Sequence, residues 1–172
     1  MAMTYAVWNG PMPTTAALSP VTTGTSIKTM LQIVPAVNIK VVEWGVSFDG
    51  SAAATPGKCE LIETGSIAAT VTAYATTDVY VYGNPSDPAN TSGSGGSPLN
   101  LGTALSGYTG TAEGTITATR IGDYQLVAPT NQWAKQWPLS REFGVAAGKV
   151  LRVRMTFGTA INALCYVMFE MY

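Results

Sequence analysis

Along this chain apolar and polar residues alternate in short runs with a period of two, the spacing that sends successive side chains to opposite faces of a β-strand. The clearest runs lie toward the C-terminal end. In GKVLRVRMTF, Leu151, Val153, Met155 and Phe157 alternate with Val150, Arg152, Arg154 and Thr156, which predicts a half-buried strand with its arginines toward solvent or a partner. In GTAINALCYVMFEMY, Ala163, Cys165, Val167, Phe169 and Met171 form one face. Leu164, Tyr166 and Met168 make the other face apolar as well, interrupted only by Asn162 and Glu170. A strand apolar on both sides is either central in a covered sheet or part of a subunit interface. The two runs are predicted to pair antiparallel and to close a β-sandwich.

The same alternation runs through the rest of the chain. Residues 29–34 begin the sheet, and Asn38 to Phe48 follow with Val42, Trp44, Val46 and Phe48 on one face and Ile39, Val41, Glu43 and Ser47 on the other. Asp49-Gly50 opens a wide loop, because Ser51 to Gly57 add further small or turn-forming residues. Lys58 to Glu63 resume as a strand with Cys59 and Leu61 inward. Gly65 to Thr77 read as mixed turn and strand. Tyr80 to Tyr108, carrying GNPSDPANTSGSGGSPLNLG, read as a long Gly/Ser/Pro-rich surface loop suited to flexibility or to contact with a neighbouring subunit. Strands are then expected at Thr115 to Ile121 and Tyr124 to Val127. Residues 1–20, rich in Pro, Gly and Thr around Trp8, lack a sustained period and are predicted to be an extended arm, folded back on its own domain or reaching to a neighbour. The expected organisation is that arm followed by a single sandwich domain over residues 21–172.

Composition narrows the chemistry. A chain of 172 residues buries roughly 68 to 70% of its unfolded surface, enough for one core without staples. With 11% charged residues and a net charge of -1, it has no basic field for phosphates, and nucleic acid is not expected as a partner. No run reaches transmembrane length, so no membrane partner is expected. The absence of histidine removes Ser-His-Asp and Cys-His devices and histidine-bearing zinc sites. Cys59 and Cys165 sit among alternating apolar residues, where a free cysteine acts as a small hydrophobe; a disulfide across the core is the other reading. MAMTYAVWNGPMPT has neither a basic start nor an apolar stretch of signal type, which favours a reducing cytoplasm.

Candidate sites are few. Trp133 and Trp137 share a face of a predicted strand, where two indoles either stack on sugar rings or fill a core or oligomer seam. Arg141, Glu142, Arg152 and Arg154 are expected on solvated faces. The carboxylate pairs Glu60 with Glu63 and Glu43 with Asp49 are not brought together by their spacing. Gly93, Gly95 and Gly96 do not lead from a strand into a helix and make no phosphate cradle. Asn90-Thr91-Ser92 reads as loop composition, and Asp87 with Asn84 and Asn90 fits no calcium-loop spacing. No catalytic residue, cofactor or metal site is expected.

WGVSFDGSAAATPGKCELIETG, PLSREFGVAAGKVLRVRMTF and NALCYVMFEMY resemble the all-β virion proteins of tailed bacteriophages, in particular head decoration proteins with a jelly-roll sandwich. The resemblance covers most of the chain from about Thr29 onward and carries no catalytic signature. It implies a homotrimer that binds the outside of a capsid, assembles in the host cytoplasm and reinforces contacts between major capsid proteins. On that reading Leu164, Tyr166, Met168, Tyr172, Trp133 and Trp137 belong to the subunit interface, and Tyr5, Trp8 and Met12 of the arm attach to the capsid. The competing reading is a carbohydrate- or receptor-binding module of a phage tail or fibre, resting on Trp133, Trp137 and the tyrosines around Tyr74 to Tyr82. A tail or baseplate protein of the same fold is a third.

Overall fold

The doubly apolar C-terminal run lies in the middle of a sheet. A computed structural model describes residues 3–49, 55–82 and 98–172. The first sheet runs Trp133–Gln136 (β10), Ile39–Asp49 (β4), Asn162–Met171 (β13), Thr4–Trp8 (β1) and Tyr80–Tyr82 (β7). Phe143–Val145 (β11) also pairs with β4, and Val21–Thr22 (β2) with β13. The second runs Thr70–Ala73 (β6), Gly107–Ala112 (β8), Lys28–Ile33 (β3), Leu151–Thr156 (β12), Gly57–Glu63 (β5) and Arg120–Val127 (β9). Every pairing between these strands is antiparallel. The chain is thus an all-antiparallel two-sheet β protein, with one core between the sheets.

Alternation builds that core. In β13 Ala163, Cys165, Val167 and Phe169 are buried while Leu164, Tyr166 and Met168 are half-buried. Leu151, Val153 and Met155 meet them from β12, with Cys59 and Leu61 from β5. Both cysteines are free and buried. Burial pushes the Cys59 thiol up to about 12 and raises that of Cys165 as well, so both stay protonated and behave as small hydrophobes.

Three stretches depart in detail from the periodicity. First, within the expected arm residues 4–8 form a strand. Thr4–Trp8 pairs with β13 on one side and β7 on the other, Tyr5 and Val7 point into the core, and Tyr5 stacks on Phe169 at 5.6 Å. Beyond it, the backbone N–H of Met12 donates to Asp78 Oδ1 at 2.8 Å, and the Tyr74 hydroxyl donates to the Trp8 carbonyl. The segment is strapped to its own domain. Second, β4 does not keep one face throughout. Val41 pairs with Phe169 and Glu43 with Met168, which leaves Val42 as a bulged extra residue. An inserted residue flips the alternation, so Ile39 and Val41 before it and Trp44 and Val46 after it all face the core. Third, Thr115 to Thr119 are not strand; β9 runs from Arg120 to Val127 with a register shift at Gly122.

The opposite edge strand answers the bulge. β10 pairs with Glu43 to Val46, β11 pairs with Ile39 to Val41, and Trp137 N–H donates to the Val42 carbonyl at 3.0 Å. Between β10 and β11 the chain leaves the sheet as a turn carrying Pro138, Leu139 and Ser140. Residues 65–77 resolve into turn, β6 and a short 3-10 turn at Thr76–Asp78. The ends of the expected Tyr80–Tyr108 loop are strand, in β7 and at the start of β8; its Gly/Ser/Pro-rich centre, 83–97, lies outside the described residues, as do 50–54 of the wide loop after β4.

Candidate binding face and aromatic groove

The outward side of the first sheet is the candidate site, because β13 places Leu164, Tyr166 and Met168 there in a row. Their cross-strand partners are Ser47, Gly45 and Glu43 on β4, and Trp8 and Ala6 stand opposite Tyr166 and Met168 on β1. Gly45 makes the arrangement fit. A Cβ at that position would lie 2.6 Å from Tyr166 Cε1, so the absence of a side chain lets the phenol ring lie over the strand. The Tyr166 hydroxyl donates to the Glu43 carboxylate, and the Trp8 indole sits 6.1 Å from the phenol ring at a 32° tilt. All four side chains, Trp8, Leu164, Tyr166 and Met168, remain half-buried.

At the β10 end this face deepens into a groove of about 350 Å³ walled by Trp8, Tyr166 and Leu164 and bordered by the Gln132 to Ala134 stretch, with Ser47 and Gln132 supplying polar groups. Trp133 itself stands opposite Val46, on the inner side of the sheet, where its ring packs against the core and its Nε1–H donates to Asp123 Oδ2 at 3.3 Å. The same oxygen accepts Trp44 Nε1–H at 3.1 Å, and Asp123 Oδ1 accepts from Gln125 at 2.9 Å and Lys135 at 3.2 Å. Asp123 belongs to β9 of the second sheet, whereas Trp44, Trp133 and Lys135 belong to the first. One carboxylate therefore ties the sheets together along this edge. Burial alone would push this carboxyl up, but the hydrogen bonds from Gln125 and Lys135, the Lys135 charge and the Trp44 indole outweigh it, and the net shift is below the ordinary aspartate value.

The remaining predicted site residues separate. Trp137 does not line the groove; it packs half-buried against the core with the Lys135 ammonium 5.0 Å from its ring centroid. Tyr172 is exposed at the far end, beside Asn38 and under the Lys40 ammonium at 5.1 Å. Tyr5 is buried and offers no surface, while Trp8 and Met12 remain partly accessible. Arg152, expected on a solvated face, is fully buried. It donates to the Glu113 carbonyl at 2.9 Å, to the Glu113 carboxylate at 3.2 Å and to the Ile67 carbonyl. Arg154 pairs with Glu60 at 2.5 Å, and Arg120 pairs with Glu63. Among the described residues no cluster of three or more His, Cys, Asp or Glu is placed to hold a metal ion.

Sequence reasoning missed Asp123, Gly45 and Gln132. Asp123 had a usable signal, an acid inside an otherwise apolar strand with an indole-rich run following it. Gly45 had one too, a glycine in the middle of a strong strand, which marks a close approach. No family model, curated protein or solved structure matches this chain.

Proposed function

We propose that the chain is a jelly roll acting as a structural virion protein: a homotrimer that binds the outer surface of a bacteriophage capsid and reinforces the lattice of the major capsid protein. The strand pairings support the fold. If β1, β3, β4 and β5 form one arm of a long hairpin and β9, β10, β12 and β13 the other, the arms pair from the outside in. β1 lies on β13, β3 on β12, β4 on β10 and β5 on β9. Folding such a hairpin over itself produces two four-stranded sheets, the jelly-roll plan; β6, β7 and β8 are then an insertion between the arms.

The observation that carries the function is the outward row Leu164, Tyr166 and Met168 beside Trp8. A solvent-facing strand at the centre of a sheet ordinarily alternates apolar with polar residues, and here the outward positions are apolar too. Adhesion by buried area, repeated over a lattice, needs only modest contacts because avidity multiplies them. No chemical step belongs to this reading. Its test is incubation with capsids stripped of accessory proteins, followed by imaging. Regular density at lattice points is expected; bare shells would overturn it.

The groove favours one competing reading, a carbohydrate- or receptor-binding module. Two aromatic side chains, Trp8 and Tyr166, with an amide and a hydroxyl at hand suit a sugar ring. Trp8→Ala separates the two: a glycan site loses retention on polysaccharide and leaves the oligomer intact, whereas an interface role weakens assembly.

A further inference from the structure

We propose that Leu139 is a knob that seats in the aromatic groove of the next copy of this chain, so that the oligomer closes through two different patches, one convex and one concave. The inference rests on the trimeric reading above and assigns its contact. Leu139 is 91% exposed, more than any other large apolar side chain among the described residues. It stands at the tip of the turn between β10 and β11, after Pro138 and before Ser140, whose φ of 67° lies in the left-handed region. The turn is held in shape: Arg141 N–H donates to the Pro138 carbonyl at 3.0 Å, and Ser140 N–H donates to Glu142 Oε1 at 3.0 Å. Little ordering remains to be done on binding.

Ile27, Val37 and Leu105 are each less than half as exposed as Leu139, and Tyr172 sits under the Lys40 ammonium. Ile121, Tyr124 and Leu126 lie along β9 and offer a strand surface, not a projection. The groove of Trp8, Leu164, Tyr166 and Ala134 is concave and on the same sheet, at the opposite end of β10 from the tip. Charge agrees with shape. Arg141 is exposed two residues beyond Leu139, and the Glu43 carboxylate lies beside the groove, where it accepts the Tyr166 hydroxyl. A cyclic trimer requires a heterologous contact of this type, each subunit giving one patch and receiving the other.

The test is a complementation between two surface variants of the full chain. Leu139→Asp removes the knob and keeps the groove; Ala134→Arg, at an exposed position on the groove wall, blocks the groove and keeps the knob. Thermal melting of each variant checks that it folds. Each alone is expected to raise the concentration at which the trimer half-dissociates by at least about tenfold. Mixed in equal amounts, they are expected to give heterodimers joined by one intact contact, read by native mass spectrometry. Leu139→Asp that stays trimeric at wild-type concentrations overturns the proposal, as does a mixture that remains monomeric. Capsid imaging keeps the two ideas apart. A trimeric Leu139→Asp that decorates shells removes the knob and leaves the function standing. A wild type that follows the complementation pattern but ignores capsids keeps the knob and removes the function.

Discussion

The outward faces of β12 and β13 began with opposite patterns and met opposite fates. β12 turns Arg152 and Arg154 outward, and the chain covers them: Arg152 is fully buried against Glu113 and the Ile67 carbonyl, and Arg154 is paired with Glu60. β13 turns Leu164, Tyr166 and Met168 outward, and they stay half exposed. A fold that hides its arginines and leaves its apolar row accessible is poorly explained by the needs of a lone subunit, since burying charge is costly and burying apolar area favourable. The contrast separates two tasks. The second sheet covers the arginines of β12 with the chain's own connections while leaving Ile121, Tyr124 and Leu126 of its edge strand exposed; the first leaves a half-buried apolar row on its central strand.

The largest effect is expected where the covered face is opened. Arg152→Ala removes the cation paired with Glu113 and leaves the Ile67 carbonyl with the Thr64 hydroxyl alone, and should cost about 3 kcal/mol, as removal of one partner from a buried pair does; denaturant titration reads it. Next comes Gly45→Ala, whose added Cβ drives the Tyr166 ring off the strand. It should lose about 1 to 3 kcal/mol together with the Tyr166 to Glu43 hydrogen bond.

Asp123→Asn tests the tie between the sheets and should cost about 1.5 to 3 kcal/mol near neutral pH, the range for hydrogen bonds to a charged group. Its pH dependence has a definite sign. The folded carboxyl titrates below its unfolded value, so its contribution is fully present above the unfolded pKa of about 3.9. It is lost as pH falls through the folded value. The wild type should therefore lose stability from about pH 4 downward more steeply than Asp123→Asn. Smallest of all is Met168→Lys, which should change the stability of the isolated subunit by no more than about 0.5 kcal/mol. A variant that leaves the fold unmoved and abolishes assembly would make the comparison sharpest.

How much of this was legible depended on whether alternation was the whole story. β5, β12 and β13 fall close to where periodicity places them, because each keeps one face to the core along its length, whereas β3 is found in place but carries a bulge at Met30. β4 was legible as a strand but not in its facing, since nothing in WGVSF or KVVE announces a bulge at Val42. β1 was hidden because TYAVW is short and is followed by Pro11 and Pro13; its place comes from the empty side of β13, a long-range fact. β9 inverts the usual pattern, turning Asp123 inward and leaving Tyr124 and Leu126 exposed, and only the indoles of Trp44 and Trp133 from the other sheet explain why. Arg152 was misjudged for a similar reason, as its cover arrives from Glu113 and Ile67, far away in sequence. The site was legible in part. The β13 row was evident, but the placing of Trp8 beside Tyr166, and of Trp133 inward toward Asp123, required the register of three strands.

The account stands or falls on whether the apolar row of β13 is an assembly surface. Light scattering on the purified wild type and on Met168→Lys, over a range of concentrations, measures this directly. A wild-type mass of three times the 18.0 kDa chain, reduced to that of a single folded chain by Met168→Lys, is the predicted result. A wild type that remains monomeric at every concentration, or a trimer indifferent to the lysine, would contradict it.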